Sequence, residues 1–419
     1  MSERIAIVGT GISGLTVAHL LSRRHDLVLY EAADYIGGHT HTIDVEDGDR
    51  RLGVDTGFIV YNRRTYPNFC RLLEQLEVPT QPSDMSFSFR DDAGNLEYGA
   101  PEARRLFAQR RNLLRPRFWR MLKQILRFYR EGPRLLESVD QDEGLDLETY
   151  LRREGYDDAF REDHLFPVAA AIWSGSRRQL GAFPARAFLR FFRNHGLLSL
   201  TDRPPWRTVV GGSERYVDRL IRPFADSIRL RTPVVGIRRF ADHVEIRTAD
   251  AQPERFDKVV LACHANQALE ILDDPRPLET EILGAFSYAA NDVVLHTDAG
   301  LLPRRRAAWS SWNYLRSGEA DSPVILSYYM NQLQRLESDQ DYLVTLNRED
   351  AVDPQRIIGR YRYDHPQYDA TAIAFQSRHG ELDGRDRTYF CGAYWGYGFH
   401  EDGVNSALRV GRHFGESRL

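Results

Sequence analysis

Glycines at positions 9, 11 and 14 follow a short apolar run, Arg4–Val8 (RIAIV), and lead into the helical pattern LTVAHLLSRR. A second apolar run, Asp26–Tyr30 (DLVLY), ends in Glu31, twenty residues after Gly11. Strand, glycine turn, helix, strand and acid in this order form a dinucleotide-binding unit. Gly9 permits the tight turn, Gly11 lets backbone approach a pyrophosphate, and Gly14 lets the helix pack close to the strand. The helix N-terminus, with Ser13 in its first turn, offers free N–H groups and partial positive charge to phosphate. Glu31 would accept hydrogen bonds from ribose hydroxyls. This complete context distinguishes the motif from an ordinary glycine-rich turn.

Three further groups carry chemistry. Gly37-Gly38-His39-Thr40-His41-Thr42 comes shortly after Glu31, and Asp55-Thr56-Gly57-Phe58-Ile59-Val60-Tyr61-Asn62 follows it. Near the C-terminus a strand-like TYFC ends at Gly392, and a helix is expected to begin near Gly403-Val404. A ligand at the carboxyl end of a strand and the N-terminus of a helix is the expected geometry of an open α/β sheet. His400 is of the type that exchanges protons near neutral pH, with Tyr61 and Glu401 as companions. A structural histidine bonded to backbone is the competing reading of His400.

The elements that must position these groups are scattered along the chain. Gly211-Gly212-Ser213 precedes a helical pattern, ERYVDRLIRPF, and then β runs at Ile228–Val235, His243–Thr248 and Phe256–Ala262. We expect an α/β protein: a discontinuous Rossmann-like domain of residues 1–75, 206–265 and 372–419, and a mixed α+β substrate domain of 76–205 and 266–371. The second domain holds helical stretches and an apolar strand-like run at 322–330, SPVILSYYM. No second GxGxxG and no internal repeat is present.

Composition bounds the rest. The 419 residues, 42% hydrophobic and 28% charged, are ordinary for a soluble globular protein of two or three domains. The longest apolar run, Phe166–Trp173, is far too short to span a membrane, and no secretory signal is visible. Three isolated cysteines suggest no disulfide framework, metal site or dithiol centre, which fits a reducing cytoplasm. Net charge is −4, yet Arg104–Arg134 holds eleven basic residues against Glu131 alone, a local +10. Within it, Phe118, Leu122, Ile125 and Tyr129 fall on one helical face, and Arg120, Lys123, Arg127 and Arg130 on the other. An amphipathic basic helix near 116–130 suits an anionic membrane surface. A helix packed on its own domain with a solvated basic face is the plain alternative. No nucleic-acid-binding motif accompanies the charge.

Together the motifs GGHTHT, DTGFIVYN, TYPNFCRLL, LHTD and GYGFHEDG resemble the flavin amine oxidase and phytoene desaturase superfamily. The same motif set looks like a bacterial branch of it associated with enzymes that modify acyl chains of membrane lipids. The resemblance implies FAD as cofactor. It places Gly9, Gly11, Ser13, Gly14, Glu31, Gly37, Gly38, His39, Thr40, Gly57, Phe58, Ile59, Val235, Gly392, Gly403 and Val404 along it, with Val235 meeting the adenine through its backbone. It departs from the superfamily at Tyr35-Ile36, where an arginine is usual and His39 partly substitutes, and at Ala393, where an acid is usual. Many amine oxidases keep a lysine near the flavin. Here the matching run 287–296, SYAANDVVLH, has none, and the chain's two lysines are Lys123 and Lys258. The implied function is FAD-dependent desaturation of an unsaturated or methyl-branched fatty acyl chain. The catalytic set is His400, Tyr61 and Glu401, on a cytoplasmic enzyme that touches the inner face of the membrane. An amine oxidase and a flavin-dependent isomerase of the sugar-nucleotide mutase type are the alternatives. The electron acceptor is not legible in the chain.

Overall fold

In this computed structural model, residues 2–139, 144–199, 202–249, 251–316, 323–416 and 418–419 are described, the side chains of 133, 135 and 137–139 excepted. A five-stranded parallel sheet has the order Ile228–Arg229, Asp26–Tyr30, Arg4–Val8, Lys258–Leu261, Thr388–Phe390. Its strands come from three distant stretches of chain, as the discontinuous reading requires. They are near-continuous apolar runs because both faces are covered, one by helices and the other by the antiparallel meander together with short helices. The helix Ile12–Leu21 is apolar almost all round and buried at nine of its ten residues. It lies between the sheet and the last helix, His400–His413, packing against both.

The β runs expected after Gly212 divide between two sheets. Ile228–Arg229 and Lys258–Leu261 join the parallel sheet, while Val234–Arg239, Val244–Thr248 and Glu254–Phe256 form an antiparallel meander. The alternation in HVEIRT follows from one buried and one wet face.

The second body is a seven-stranded sheet in the order Ile357–Gln367, Ser287–His296, Leu343–Leu346, Ile325–Tyr329, Trp312–Leu315, Phe87–Asp91, Leu96–Ala100. Neighbours are antiparallel except Trp312–Leu315 with Phe87–Asp91. The expected run 322–330 gives the strand Ile325–Tyr329. Met330 already starts a short helix, and Ser322 lies outside the described residues. A helical layer caps this body, with Phe160, Phe166, Trp173, Phe183, Phe188, Phe191 and Phe192 in its core.

The basic helix begins at Pro116 as expected and runs on to Val139. Its expected apolar face packs inward, widened by Met121 and Phe128. Phe118, Met121 and Phe128 are buried, whereas Leu122, Ile125 and Tyr129 are only half-buried. Arg127, assigned to the wet face, turns back to Glu131 (2.8 Å) and the Glu154 carbonyl (2.8 Å). The apolar face therefore packs on the protein's own aromatic core.

The cysteines are free, and no metal-ligand cluster occurs among the described residues. No described helix is long and apolar enough to cross a membrane.

Candidate active site

The glycine turn after Arg4–Val8 forms because only glycine fits it. Gly9 adopts φ +103°, and a Cβ on Gly14 would overlap the Gly9 carbonyl. A Cβ on Gly11, by contrast, would meet no protein atom within 4 Å. Gly11 thus faces open space at the carboxyl end of the sheet, beside N–H groups that have no acceptor within their own helix. The second diglycine closes the same crevice: Gly37 bridges to Gly11, and a Cβ on Gly38 would stand 3.0 Å from the Gly11 Cα. Glu31 Oε2 accepts from the Thr10 N–H (3.0 Å) and hydroxyl (2.6 Å), which fixes the acid at the rim. A second helix N-terminus reaches the same place. A Cβ on Gly403 would stand 2.8 Å from Ser13 Oγ, so the helix His400–His413 starts against the first turn of Ile12–Leu21. Val404 is buried beside it, and the Gly392 N–H donates to Ser406 Oγ (3.0 Å). Two helix dipoles converge on one crevice, which favours an anionic ligand. Val235 sits at the register shift of its strand, half-exposed.

The segment 55–62 forms the next wall. The Phe58 N–H donates to the His39 carbonyl (2.7 Å), and Gly57 leaves no room for a Cβ against that same carbonyl. Asp55 is fully buried and accepts from Thr42 Oγ1 (2.6 Å), the Ser213 N–H and hydroxyl (both 2.8 Å) and Gln334 Nε2 (2.9 Å). Burial pushes its carboxyl up to about 7 against these donors. Asp55 thereby ties both glycine-rich segments to the second body. Ile59 is packed, its carbonyl accepting from Thr208 (2.9 Å).

The catalytic trio expected from sequence is placed in structural roles. His400 Nε2 lies 3.0 Å from both Thr40 Oγ1 and the Tyr216 hydroxyl, and those two oxygens are 2.6 Å apart. Phe58 stacks on its ring at 3.5 Å. Burial, reinforced by His39, holds the His400 imidazole well below its ordinary value. The same triangle occupies the Thr40 hydroxyl, which was expected to contact the cofactor. Tyr61 is a core residue, edge-on to Phe69 at 5.4 Å. The Glu401 carboxylate accepts from the Asn68 (3.1 Å) and Phe69 (2.9 Å) N–H groups, the first available donors of the helix Pro67–Gln75. It caps that helix. These roles could not be read from sequence because the partners are remote in the chain.

What the site does offer is a group of imidazoles that sequence spacing could not assemble. The His39 ring lies 6.0 Å from His264 and 5.6 Å from His365. Burial, then the neighbouring imidazole, lowers His39 and His264 to about 4 and His365 to about 3. All three are neutral at pH 7. His39 also has a backbone hydrogen bond with Asp364, and its Nε2 is buried with no partner. Asn291 Nδ2 donates to His365 Nδ1 (3.3 Å) from the buried side of the strand Ser287–His296. His264 was findable, since it closely follows a parallel strand's carboxyl end; His365 and Tyr216 carried no sequence signal. Neither lysine is at hand: Lys258 pairs with Glu3 (2.8 Å), and Lys123 is exposed on the basic helix.

The sequence profile described as flavin containing amine oxidoreductase matches residues 12–307, more than half of the chain. The chain belongs to this family. Its cofactor is FAD, and it is an FAD-dependent oxidoreductase. The open space at Gly11 and the twin helix N-termini fit that group.

Solved structures similar to this fold, each with a TM-score of 0.70, include three enzymes. A putative protoporphyrinogen oxidase from Exiguobacterium sp. 255-15 is 18% identical, over 99% of both chains. A CLA-producing fatty acid isomerase from P. acnes is 17% identical, over 98% of this chain and 99% of its own. Cyclohexylamine oxidase from Brevibacterium oxydans IH-35A is 15% identical, over 99% of this chain and 100% of its own. No curated protein sequence matches.

Proposed function

We propose that this flavoenzyme desaturates an unsaturated or methyl-branched fatty acyl chain of a membrane lipid, working at the cytoplasmic surface of a bilayer. The observation that carries the reading is the wall next to the cofactor crevice. Ile59 and Val60, directly after Gly57-Phe58, pack in one cluster with Met85, Trp312 and Tyr328. Trp312 and Tyr328 also pack against the aromatic core of the helical layer. Burial alone raises the Tyr328 hydroxyl, with no charged group contributing, and Trp312 Nε1 is buried without a partner. An uncharged aromatic wall suits a hydrocarbon chain; an ammonium or a sugar nucleotide calls for paired charge. The fatty acid isomerase of the same fold is consistent with an acyl ligand.

When bound, FAD supplies the hydride acceptor. The chain's own part is to bind, exclude water and accept a proton. With His400 Nε2 held between Thr40 and Tyr216, the acceptor we assign is His39 Nε2, on a neutral imidazole and buried without a protein partner. The twin helix N-termini favour negative charge beside them.

Anaerobic incubation with methylated or monounsaturated phospholipid should bleach the flavin, and the product should be two hydrogens lighter. His39→Gln should slow bleaching about 100-fold and flatten its pH profile, in line with loss of a general base. Bleaching by amines and by no acyl lipid establishes the amine oxidase reading. An acyl product of unchanged mass establishes an isomerase.

A further inference from the structure

Eight large apolar side chains are exposed in the described structure, and four of them are Leu113 (50%), Leu114 (86%), Trp119 (48%) and Leu126 (55%). They are not scattered. Trp119 Nε1 donates to the Leu113 carbonyl (2.9 Å), which folds the indole over the turn Arg110–Leu114 that precedes the basic helix. Phe107 lies against the same indole, its ring centroid 5.6 Å away. The result is a fixed apolar knob. On the helix Pro116–Val139, Trp119, Lys123, Leu126 and Arg130 are spaced four, three and four residues apart and form one outward stripe. It lies opposite the buried Phe118, Met121 and Phe128.

The surrounding charge is uncompensated. None of Arg110, Arg111, Arg115, Arg120, Lys123 and Arg130 has an ion pair among the described residues. The one acid of the stretch, Glu131, is taken by Arg127. Arginines elsewhere in the fold commonly find carboxylates, as Arg117 does with Asp163 at 2.7 Å. A solvated structural face has no use for a leucine that is 86% exposed amid unpaired arginines.

The geometry points to this knob-and-stripe surface as a docking site for an anionic lipid bilayer. Leu113, Leu114, Trp119 and Leu126 enter the headgroup boundary, and the arginines hold lipid phosphates. Aliphatic tips beside a ring of cations match an interface that is apolar within and anionic above. Nucleic acid offers the arginines phosphates but gives Leu114 and Leu126 nothing to enter. The face that docks is the basic one opposite Phe118, with Trp119 and Leu126 standing exposed in it. Docking does not depend on which acyl chain is oxidised.

The test is co-sedimentation of the FAD-loaded full chain with phosphatidylcholine vesicles, with and without phosphatidylglycerol. We expect binding only to the anionic vesicles, weakened by salt. Leu114→Asp should abolish it. Arg111→Glu with Arg120→Glu should weaken it at least 30-fold, since each basic residue near such a surface is worth about fivefold. Both variants should keep the wild-type flavin spectrum, and oxidation of a short, water-soluble acyl substrate should be unchanged in them. Absence of binding to anionic vesicles overturns the proposal, as does equal binding to neutral ones. It is also overturned if Leu114→Asp converts an oligomer to a monomer, or if duplex DNA displaces the vesicles. Vesicle binding without flavin bleaching by any acyl lipid leaves docking standing and removes the acyl substrate.

Discussion

Glu401 separates a structural from a catalytic account most sharply. Its carboxylate accepts the Asn68 and Phe69 N–H groups at 3.1 and 2.9 Å, the first donors after Pro67, which has none. Removing a side-chain cap costs about 0.5–2 kcal/mol. Phe69 is fully buried, so its N–H would also be left without an acceptor, about 1–3 kcal/mol more. Glu401→Ala should therefore lower the local stability of Pro67–Gln75 by about 2–4 kcal/mol. Glu401→Gln keeps one carbonyl oxygen as acceptor and should lose about 1 kcal/mol. The assay is amide hydrogen exchange followed by mass spectrometry over this helix, where 2 kcal/mol appears as about 30-fold faster exchange. Anaerobic flavin reduction by substrate is measured in parallel. The expected outcome is graded protection loss, Ala worse than Gln, with the reduction rate of Glu401→Gln within about threefold of wild type, a change of under 1 kcal/mol in the barrier. A reduction rate lowered 100-fold in Glu401→Gln, with unchanged exchange, would refute the capping role and restore Glu401 as an acid–base group.

Two further outcomes follow from the same geometry. Gly11→Ala adds a methyl that meets no protein atom, so apo-protein stability should be unchanged while FAD affinity falls at least tenfold, about 1.4 kcal/mol; flavin titration and urea unfolding read the two quantities separately. An equal loss of apo stability would show that the space at Gly11 belongs to packing and not to a ligand. His365 has a folded value of about 3 against 6.5, so as pH falls through 6.5 the unfolded chain takes up a proton that the folded chain refuses. Stability is then lost on acidification below pH 6.5, at about 1.4 kcal/mol per pH unit for each such imidazole. The raised Asp55 carboxyl, at about 7, works in the opposite direction over the same range. Comparing unfolding of wild type and His365→Gln from neutral pH down to about pH 4 isolates the histidine, and the variant's slope should be shallower by about 1.4 kcal/mol per unit. Identical slopes would mean that this imidazole is not held neutral by the fold.

The cofactor half of the molecule was legible because its physics is local. Gly9, Gly11, Gly14 and Glu31 lie within one strand–helix–strand unit, and close backbone approach demands glycine wherever it happens. Gly403 enters through the family resemblance; the helix expected to begin there starts three residues earlier, at His400, and the missing side chain lets two helices meet at Ser13. The reacting groups were less legible. His400 has the right chemistry in the right segment, but Thr40 and Tyr216, remote in sequence, occupy its nitrogen. His39, His264 and His365 become neighbours only through packing of the seven-stranded sheet over the parallel one. The basic helix was found by periodicity, and Arg120, Lys123 and Arg130 are exposed on its outward face as read, while Arg127 turns back to Glu131. Burial follows the aromatic core at Phe118, Met121 and Phe128, and the hydrogen bond holding Trp119 over the preceding turn is invisible to a helical wheel.

The parallel sheet draws its strands from residues 4–30, 228–261 and 388–390, and the last helix, ending at His413, seats against the first. During synthesis the N-terminal glycine turn therefore leaves the ribosome long before its partners exist. At about 5–20 residues per second, translation separates the two ends by about 20–80 s. The strands of the seven-stranded body, which lie between residues 87 and 367, are made in that interval, whereas the nucleotide cradle must wait for residues 388–413. A nascent chain cut short before residue 400 lacks the helix that starts against Ser13, and with it one of the two helix N-termini at the crevice.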